Sequence, residues 1–180
     1  MKRILFLIAA LTIVGASAQA QKIYSTKTGK ITFFSKAPLE DIEAKNNEVE
    51  SKLAPSNGQV IFTLLIKDFK FPNALMQEHF NDNYMESNKF PKSEFRGYIT
   101  NIKDINFSKD GSYPAKVKGK LTIHGVTKEI ETNGTVDIKG DKVVARNKFN
   151  VKLQDYNITG MHIGKKIAET IVVTVDSEYQ

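Results

Sequence analysis

The chain has 180 residues, of which 41% are hydrophobic and 26% charged, and it contains no cysteine. A domain of roughly 150 residues buries about 70% of its unfolded surface, so this length can form one core without a disulfide or a structural metal. The formal net charge is +6, but basic and acidic residues are interspersed, whereas nucleic-acid-binding proteins gather their basic residues on one face. We therefore expect a single domain with no metal and no nucleic-acid partner.

The first twenty residues have the pattern of a secretory signal peptide. Lys2 and Arg3 supply the positive start, residues 4–14 are apolar for the most part, and Ala18-Gln19-Ala20 forms a small-x-small cleavage site. The apolar stretch is shorter than the about 20 residues of a transmembrane helix. We therefore expect a mature domain over residues 21–180 with no transmembrane span. Small animal secreted domains depend on disulfides, so a cysteine-free exported chain favours a bacterial periplasm, with an extracellular location as the alternative.

The first part of the mature chain alternates short strands with turn signals. Residues 30–36 are predicted to form a strand. Residues 41–45 and 48–53 are predicted to form two further short strands on either side of Asn46-Asn47. The segment Pro55-Ser56-Asn57-Gly58 predicts a turn, because Asn-Gly is a strong hairpin signal.

A long strand and a helix come next. Residues 59–68 carry apolar side chains at the even positions from Val60 to Ile66, which predicts a strand. Residues 73–87 place apolar side chains three and four residues apart, which predicts an amphipathic helix with Asn73 as its N-cap. After Phe90-Pro91, residues 93–101 return to strand alternation, and residues 105–109 predict a short strand.

The most informative segment is Leu-Thr-Ile-His-Gly-Val-Thr-Lys-Glu-Ile at residues 121–130. It joins two strictly alternating stretches through a turn at Gly125. Consecutive strand residues point to opposite faces, so each stretch has one apolar face and one face of Lys, Glu, Asn and Thr in contact with water. Residues 142–153 and 169–179 show the same alternation.

About eight consecutive strands with one inserted helix predict an antiparallel all-β fold, because a parallel sheet would need a helix between most of its strands. Strands with one apolar face either stack as a sandwich or close into a barrel. The alternation by itself does not choose between the two.

The hairpin resembles the YceI-like family, whose typical core is a strand, a His-Gly-Val-Thr-Lys turn and a second strand. The step Lys89-Phe90-Pro91 into a strand, and the pair Asp155-Tyr156 after a late strand, are similar to other segments of that family. The resemblance implies an eight-stranded antiparallel lipocalin-like barrel with one short inserted helix. It also implies a lengthwise apolar pocket for an isoprenoid or another long-chain amphiphile. Eight strands enclose an interior that is filled by side chains or holds one slender ligand.

On this basis we expect a ligand-binding site on the inner strand faces, covered at one end by the helix. The predicted ligand-binding residues are Phe62, Leu64, Met76, Phe80, Tyr84, Phe95, Leu121, Ile123, Phe149, Val151, Ile171 and Val173. The small residues Gly97, Gly119, Gly134 and Ala145 fall on the same predicted face, and we expect them to leave room for a guest. The expected ligand is a polyisoprenoid, a quinone or a fatty-acid-like molecule, and no other cofactor is expected.

Several polar residues are candidates for catalytic or metal-binding groups. His124 is assigned to the water-facing side of its strand, with a hydrogen bond that stabilises the turn. Glu78, His79 and Asp82 crowd one part of the helix, but zinc motifs of this kind place two histidines on one face. Partial burial of His79 at the barrel mouth is therefore expected instead. No serine-nucleophile elbow, phosphate-binding glycine loop or cysteine nucleophile occurs, so we predict no enzymatic activity.

The function expected from the sequence is an exported, noncatalytic protein that sequesters or carries an amphiphilic, lipid-like small molecule. The alternative is a structural or interaction protein of the envelope, with a barrel that is filled by its own side chains and binds no ligand. The sequence leaves the oligomeric state open, with a dimer among the options.

Overall fold

The structure, a computed structural model, describes residues 22–179, which form eight antiparallel strands closed into a barrel. The predicted signal peptide lies outside the described residues. Each strand pairs with its neighbour in the chain, and the first strand pairs with the last to close the barrel. This confirms the predicted fold class and selects the barrel over the sandwich. The strands are β1 (Tyr24–Lys36), β2 (Asp41–Leu53), β3 (Gln59–Leu65), β4 (Lys92–Ile99), β5 (Gly111–Ile123), β6 (Val126–Lys139), β7 (Lys142–Lys152) and β8 (Thr170–Tyr179).

β2 is one continuous strand, so the prediction of two short strands around Asn46-Asn47 is wrong. Asn46 is fully buried. Its Oδ1 accepts a hydrogen bond from the backbone nitrogen of Glu48 at 2.9 Å, and its Nδ2 donates to the carbonyl of Leu65 at 3.0 Å. The register of β1 against β2 shifts by one residue at this point. The asparagines therefore mark a bulge inside a strand and not a turn between two strands.

Of two other strand predictions, one is wrong in part and one is wrong throughout. β3 ends at Leu65, and a 3-10 turn, Ile66–Asp68, follows it. The chain leaves the barrel wall at this turn, and Lys70 then pairs with Lys45 of β2. Residues 105–109 form a turn, in which Asn106 Oδ1 accepts a hydrogen bond from the backbone nitrogen of Ser108 at 3.0 Å. A side chain that bonds to its own backbone in this way competes with strand pairing.

The predicted helix begins at the expected residue but is shorter and changes geometry. Asn73 Oδ1 accepts hydrogen bonds from the backbone nitrogens of Leu75 at 2.9 Å and Met76 at 3.3 Å, as an N-cap does. The helix α1 spans Ala74–His79 and continues as a π-helical turn over Phe80–Tyr84. Together these two segments cover one end of the barrel.

The barrel has a closed end and an open end. At the closed end, where β1 begins and β8 ends, Tyr24 stacks on Phe107 with the ring centroids 5.8 Å apart. Tyr179 is 1% exposed there, and its hydroxyl lies 2.8 Å from Ser51 Oγ. The open end carries the β1–β2 turn, α1, the β5–β6 turn and the segment 157–169. Any guest therefore enters from the side of α1.

The pairing between β6 and β7 stops halfway along the barrel. It runs from the closed end as far as Gly134 and Asn147. Nearer the open end, residues 126–133 pair with β5 on their other side. The 3-10 turn that follows β7, Leu153–Tyr156, packs against β6 and covers this part of the wall. The two strands therefore separate at the level of Asn147, and side chains instead of backbone bonds bridge them there.

Candidate ligand-binding cavity

A cavity of about 480 Å³ runs inside the barrel and reaches solvent at the open end. Its volume lies in the range of small-molecule sites, about 300–1,000 Å³. Apolar side chains from every strand line it. All twelve residues predicted from the sequence lie on its wall; their role in ligand binding stays a prediction. They are Phe62, Leu64, Met76, Phe80, Tyr84, Phe95, Leu121, Ile123, Phe149, Val151, Ile171 and Val173.

Cross-strand pairing brings these wall residues together. Phe62 of β3 lies opposite Phe95 of β4, and Phe95 lies opposite Leu121 of β5. On the other side of the barrel, Phe149 of β7 lies opposite Val173 of β8. Side chains directly opposite each other on one face contact one another. The inner faces therefore form a largely apolar wall around the cavity.

The small residues on the inner face do not all leave space for a guest. A β-carbon on Gly97 or Gly119 would lie 2.6 or 2.7 Å from the ring atom Cζ of Phe95. The Phe95 ring therefore already covers these two glycines, and the expectation that they widen the cavity is wrong. Gly134 and Ala145 do line the cavity.

Four aromatic rings surround the mouth of the cavity, and three of them were missed as site residues. Phe33, Phe69 and Phe71 pack around Phe80, with ring centroids between 5.0 and 5.7 Å from that of Phe80. Phe33 and Phe80 are stacked, with an interplanar angle of 26°. These contacts fix the π-helical turn against β1. Phe33 is in phase with Ile31, and this alternation could have placed it on the inner face. The adjacent Phe34 is also apolar, so the alternation does not show which of the two rings points inward.

The helical segment covers the mouth and is held at both ends. Gln77 Oε1 accepts a hydrogen bond from the backbone nitrogen of Phe71 at 3.2 Å. A β-carbon on Gly160 would lie 2.5 Å from the ring of Tyr84, so this ring lies directly on the segment 157–169. Burial raises the pKa of Tyr84. Met76, Phe80 and Tyr84 all face the cavity, as the helical spacing predicted.

The rim of the mouth combines charged and exposed apolar side chains. Glu40, His162 and Lys166 reach the cavity from the β1–β2 turn and the segment 157–169. Leu39 is 73% exposed and Met161 79% exposed on the same two segments. The rim can therefore contact both the polar and the apolar part of an amphiphile.

The histidines of the helix and the rim are not gathered into a metal site. His79 lies at the mouth, as expected, but it is exposed where partial burial was expected. Between residues 22 and 179, no three His, Cys, Asp or Glu side chains meet as a metal centre requires. In that same range, none of the helical segments has the length and apolar character of a membrane-spanning helix.

His124 is buried, so its assignment to the water-facing side is wrong. Its side chain is 9% exposed, and its backbone has φ of 51°. Nε2 lies 2.9 Å from Glu86 Oε2, and Nδ1 lies 3.2 Å from the carbonyl oxygen of Tyr156. The edge of the ring meets Phe90 at 4.5 Å between centroids. His124 therefore ties the β5–β6 turn to two other segments of the open end, and it bonds to them instead of to its own turn.

The lysine stripe of β5 lies on the outer wall, next to acidic residues of β6. Lys118 lies opposite Glu131, and the two form an ion pair at 2.6 Å. Lys120 lies opposite Glu129. This matches the prediction that the face of β5 carrying these lysines is in contact with water.

A closed eight-stranded antiparallel barrel around one apolar cavity, with a helix over its mouth, defines a lipocalin-like fold. Within that class the chain belongs to the YceI-like family: the family model for the YceI-like domain matches residues 13–179. No curated protein matches the chain by sequence.

Solved structures share the fold at low sequence identity. A polyisoprenoid binding domain from Saccharophagus degradans, implicated in plant cell wall breakdown, is 13% identical with a TM-score of 0.76 and covers 88% of this chain and 97% of its own. BcnA of Burkholderia cenocepacia is 17% identical with a TM-score of 0.69 and covers 84% of this chain and 96% of its own. The YceI protein of Campylobacter jejuni is 17% identical with a TM-score of 0.56 and covers 99% of this chain and 93% of its own.

Proposed function

We propose that the protein binds a long-chain amphiphile of isoprenoid type in the barrel cavity and acts as a noncatalytic carrier or buffer of that molecule. The observation that carries the proposal is the apolar cavity of about 480 Å³ with one open end. Membership of the YceI-like family and the fold shared with a polyisoprenoid binding domain support the same ligand class. The alternative of a barrel filled by its own side chains conflicts with this cavity.

Burial of the apolar tail is the driving force in this proposal. Each CH₂ group removed from water contributes about 0.8 kcal/mol, which corresponds to about fourfold in affinity. A tail of about fifteen carbons would contribute roughly 12 kcal/mol, against an association cost of about 4–15 kcal/mol. Short chains should therefore bind weakly, and affinity should rise steeply with chain length until the cavity is full.

In this proposal the polar head of the ligand lies at the rim of the open end. Glu40, His162 and Lys166 carry ionisable groups at the mouth, so a head group can stay hydrated while the tail enters past Phe80. The helical segment with Met76 lies over the mouth and acts as its cover in this proposal. Methionine adapts well to irregular apolar guests.

Export to the periplasm is the second part of the proposal, and the N-terminal twenty residues support it. N-terminal sequencing of protein recovered from a periplasmic fraction should begin at residue 21. An intact N-terminus, with the protein retained in the cytoplasmic fraction, would contradict export without affecting the proposed ligand.

The experiment that tests ligand binding is organic extraction and mass spectrometry of protein purified from its own host. A long-chain species recovered in stoichiometric amount is the expected result. Titration of the extracted protein with straight-chain alcohols, each one CH₂ longer than the last, should then show steps of about fourfold in affinity. A preparation that contains no lipid and ignores added polyprenols and quinones would refute the proposal.

A further inference from the structure

One polar pair interrupts the apolar wall of the cavity halfway along the barrel. Thr132 of β6 and Asn147 of β7 both line the cavity, at the level where these two strands separate. Their neighbours in phase, Ile130 and Phe149, are apolar and also line it. Ligand sites typically combine an apolar wall with a few polar groups that fix the orientation of the ligand. Thr132 and Asn147 therefore lie where polar groups could fix the orientation of a ligand inside the cavity.

The hydrogen bond within the pair leaves donor atoms available to a guest. Thr132 Oγ1 donates to Asn147 Oδ1 at 2.9 Å. This bond occupies the acceptor atom of the amide, and both N–H groups of Asn147 Nδ2 remain available on the cavity side. Polar groups in an apolar interior are unfavourable unless they are hydrogen-bonded. An acceptor atom of the ligand would satisfy this amide.

The wall next to Asn147 is built from small residues. Gly134 lies directly opposite Asn147, and a β-carbon there would come within 3.0 Å of Asn147 Nδ2. Ala115 lies opposite Gly134 on the next strand, and both line the cavity. Because Gly134 has no side chain, the amide of Asn147 fits against it. The small size of Ala115 and Gly134 also leaves space for a guest beside this amide.

We propose that Thr132 and Asn147 form an internal subsite that binds an uncharged carbonyl group of a long-chain lipid. Asn147 Nδ2 donates to the carbonyl oxygen, and Thr132 orients the amide. The ligand class is neutral because of the charges at this level. Arg146 borders the cavity next to Asn147, but its guanidinium is already paired with Asp137 and Asp176. A buried ligand carboxylate would therefore lack a counter-charge. The apolar parts of the ligand extend from the subsite toward Phe149 and the mouth. This inference rests on the proposed function.

The test compares two probes that differ by the carbonyl alone. Heptadecan-9-one and heptadecane are delivered to the lipid-free protein from cyclodextrin, and their affinities are measured by displacement of a fluorescent fatty-chain reporter. A hydrogen bond contributes about 1 kcal/mol. Once the cost of removing the carbonyl group from water is subtracted, the affinity for heptadecan-9-one should exceed the affinity for heptadecane by about fivefold to tenfold. In Asn147→Leu this preference should disappear while heptadecane binding is retained, and in Thr132→Val it should be reduced.

A spectroscopic signal and a matched control complete the experiment. The ¹³C resonance of a labelled ketone carbonyl lies outside the range of protein carbonyls and moves downfield on hydrogen bonding. It should lie further downfield in the wild type than in Asn147→Leu. The control is Asn150→Leu, on the outer face of the same strand, which should leave affinity and resonance unchanged. If both probes bind with no ketone preference and the resonance is the same in all variants, the subsite is refuted and the proposed function stands. If neither probe binds to the wild type, the proposed function fails.

Discussion

Alkaline conditions should destabilise the barrel through Tyr179 at its closed end. Tyr179 is 1% exposed and lies 2.8 Å from Ser51 Oγ. Burial raises the pKa of Tyr179 to about 12, and the hydrogen bond from Ser51 opposes this rise in part. An unfolded tyrosine has a pKa of about 10. The neutral phenol is thus favoured in the folded state, and its stabilising contribution is complete below about pH 10 and is lost as the pH rises to about 12.

The size of this loss follows from the difference between the two pKa values. About two pKa units at 1.36 kcal/mol each correspond to about 3 kcal/mol of unfolding free energy. Above pH 10 the unfolded chain releases the proton and the folded chain holds it, so the unfolding free energy falls as the pH increases. Urea unfolding monitored by circular dichroism between pH 8 and 12 measures this slope.

Tyr179→Phe is the matched comparison, because it cannot ionise and keeps the ring. At pH 8 it should be less stable than the wild type by about 1 kcal/mol, since Ser51 loses its partner. Between pH 10 and 12 the advantage of the wild type should vanish and then reverse. Deprotonation of the lysines acts on both proteins and cancels in the difference. A stability difference that stays constant from pH 8 to 12 would refute the reasoning.

Three further substitutions test the wall and the open end. Phe149→Asp should abolish lipid uptake, because it places a carboxylate in the apolar wall. The control Asn150→Asp, on the outer face of the same strand, should bind lipid normally. Lipid uptake by a folded Phe149→Asp protein would contradict the assignment of Phe149 to the inner face. His124→Ala should lower the unfolding free energy by about 1 kcal/mol, because a largely covered side chain loses its contacts with the Glu86 carboxylate and the Tyr156 carbonyl; a change below about 0.5 kcal/mol in urea unfolding would show that these contacts contribute little. Gly119→Ala should destabilise by about 1–3 kcal/mol through overpacking against the backbone of β4 and the ring of Phe95, and an unchanged melting temperature would show that β4 and the ring adjust freely.

The inner wall was predictable from the sequence because its alternation is strict. Around Leu121 and Ile123 the intervening positions are lysine and threonine, so the phase of the strand has a single reading. β1 lacks this contrast, since Phe33 and Phe34 are adjacent, and Phe33 was therefore not assigned to the site. Asn46 was misread because Asn-Asn is typical of turns, whereas its side chain here bonds to the backbone of its own strand and of β3.

The open end was less predictable because it is assembled from segments distant in the sequence. His124 bonds to Glu86 and to Tyr156, which are 38 and 32 residues away in the chain. The rings of Phe69 and Phe71 reach the mouth because the chain leaves β3 and runs beside β2. Local periodicity carries no information on such a path. The polar pair of Thr132 and Asn147 likewise becomes recognisable when the register of β6 and β7 is known.

The direction of the first and last strands has a practical consequence. Tyr24 begins β1 and Tyr179 ends β8, both on the side opposite the mouth. A tag attached beyond β8 can therefore anchor the protein to a sensor chip with its entrance facing the flowing sample. Because β1 and β8 are neighbours in the barrel, the chain is also suitable for circular permutation. A short linker would join the end of β8 to the start of β1, and the chain would be opened at the turn around Asn57.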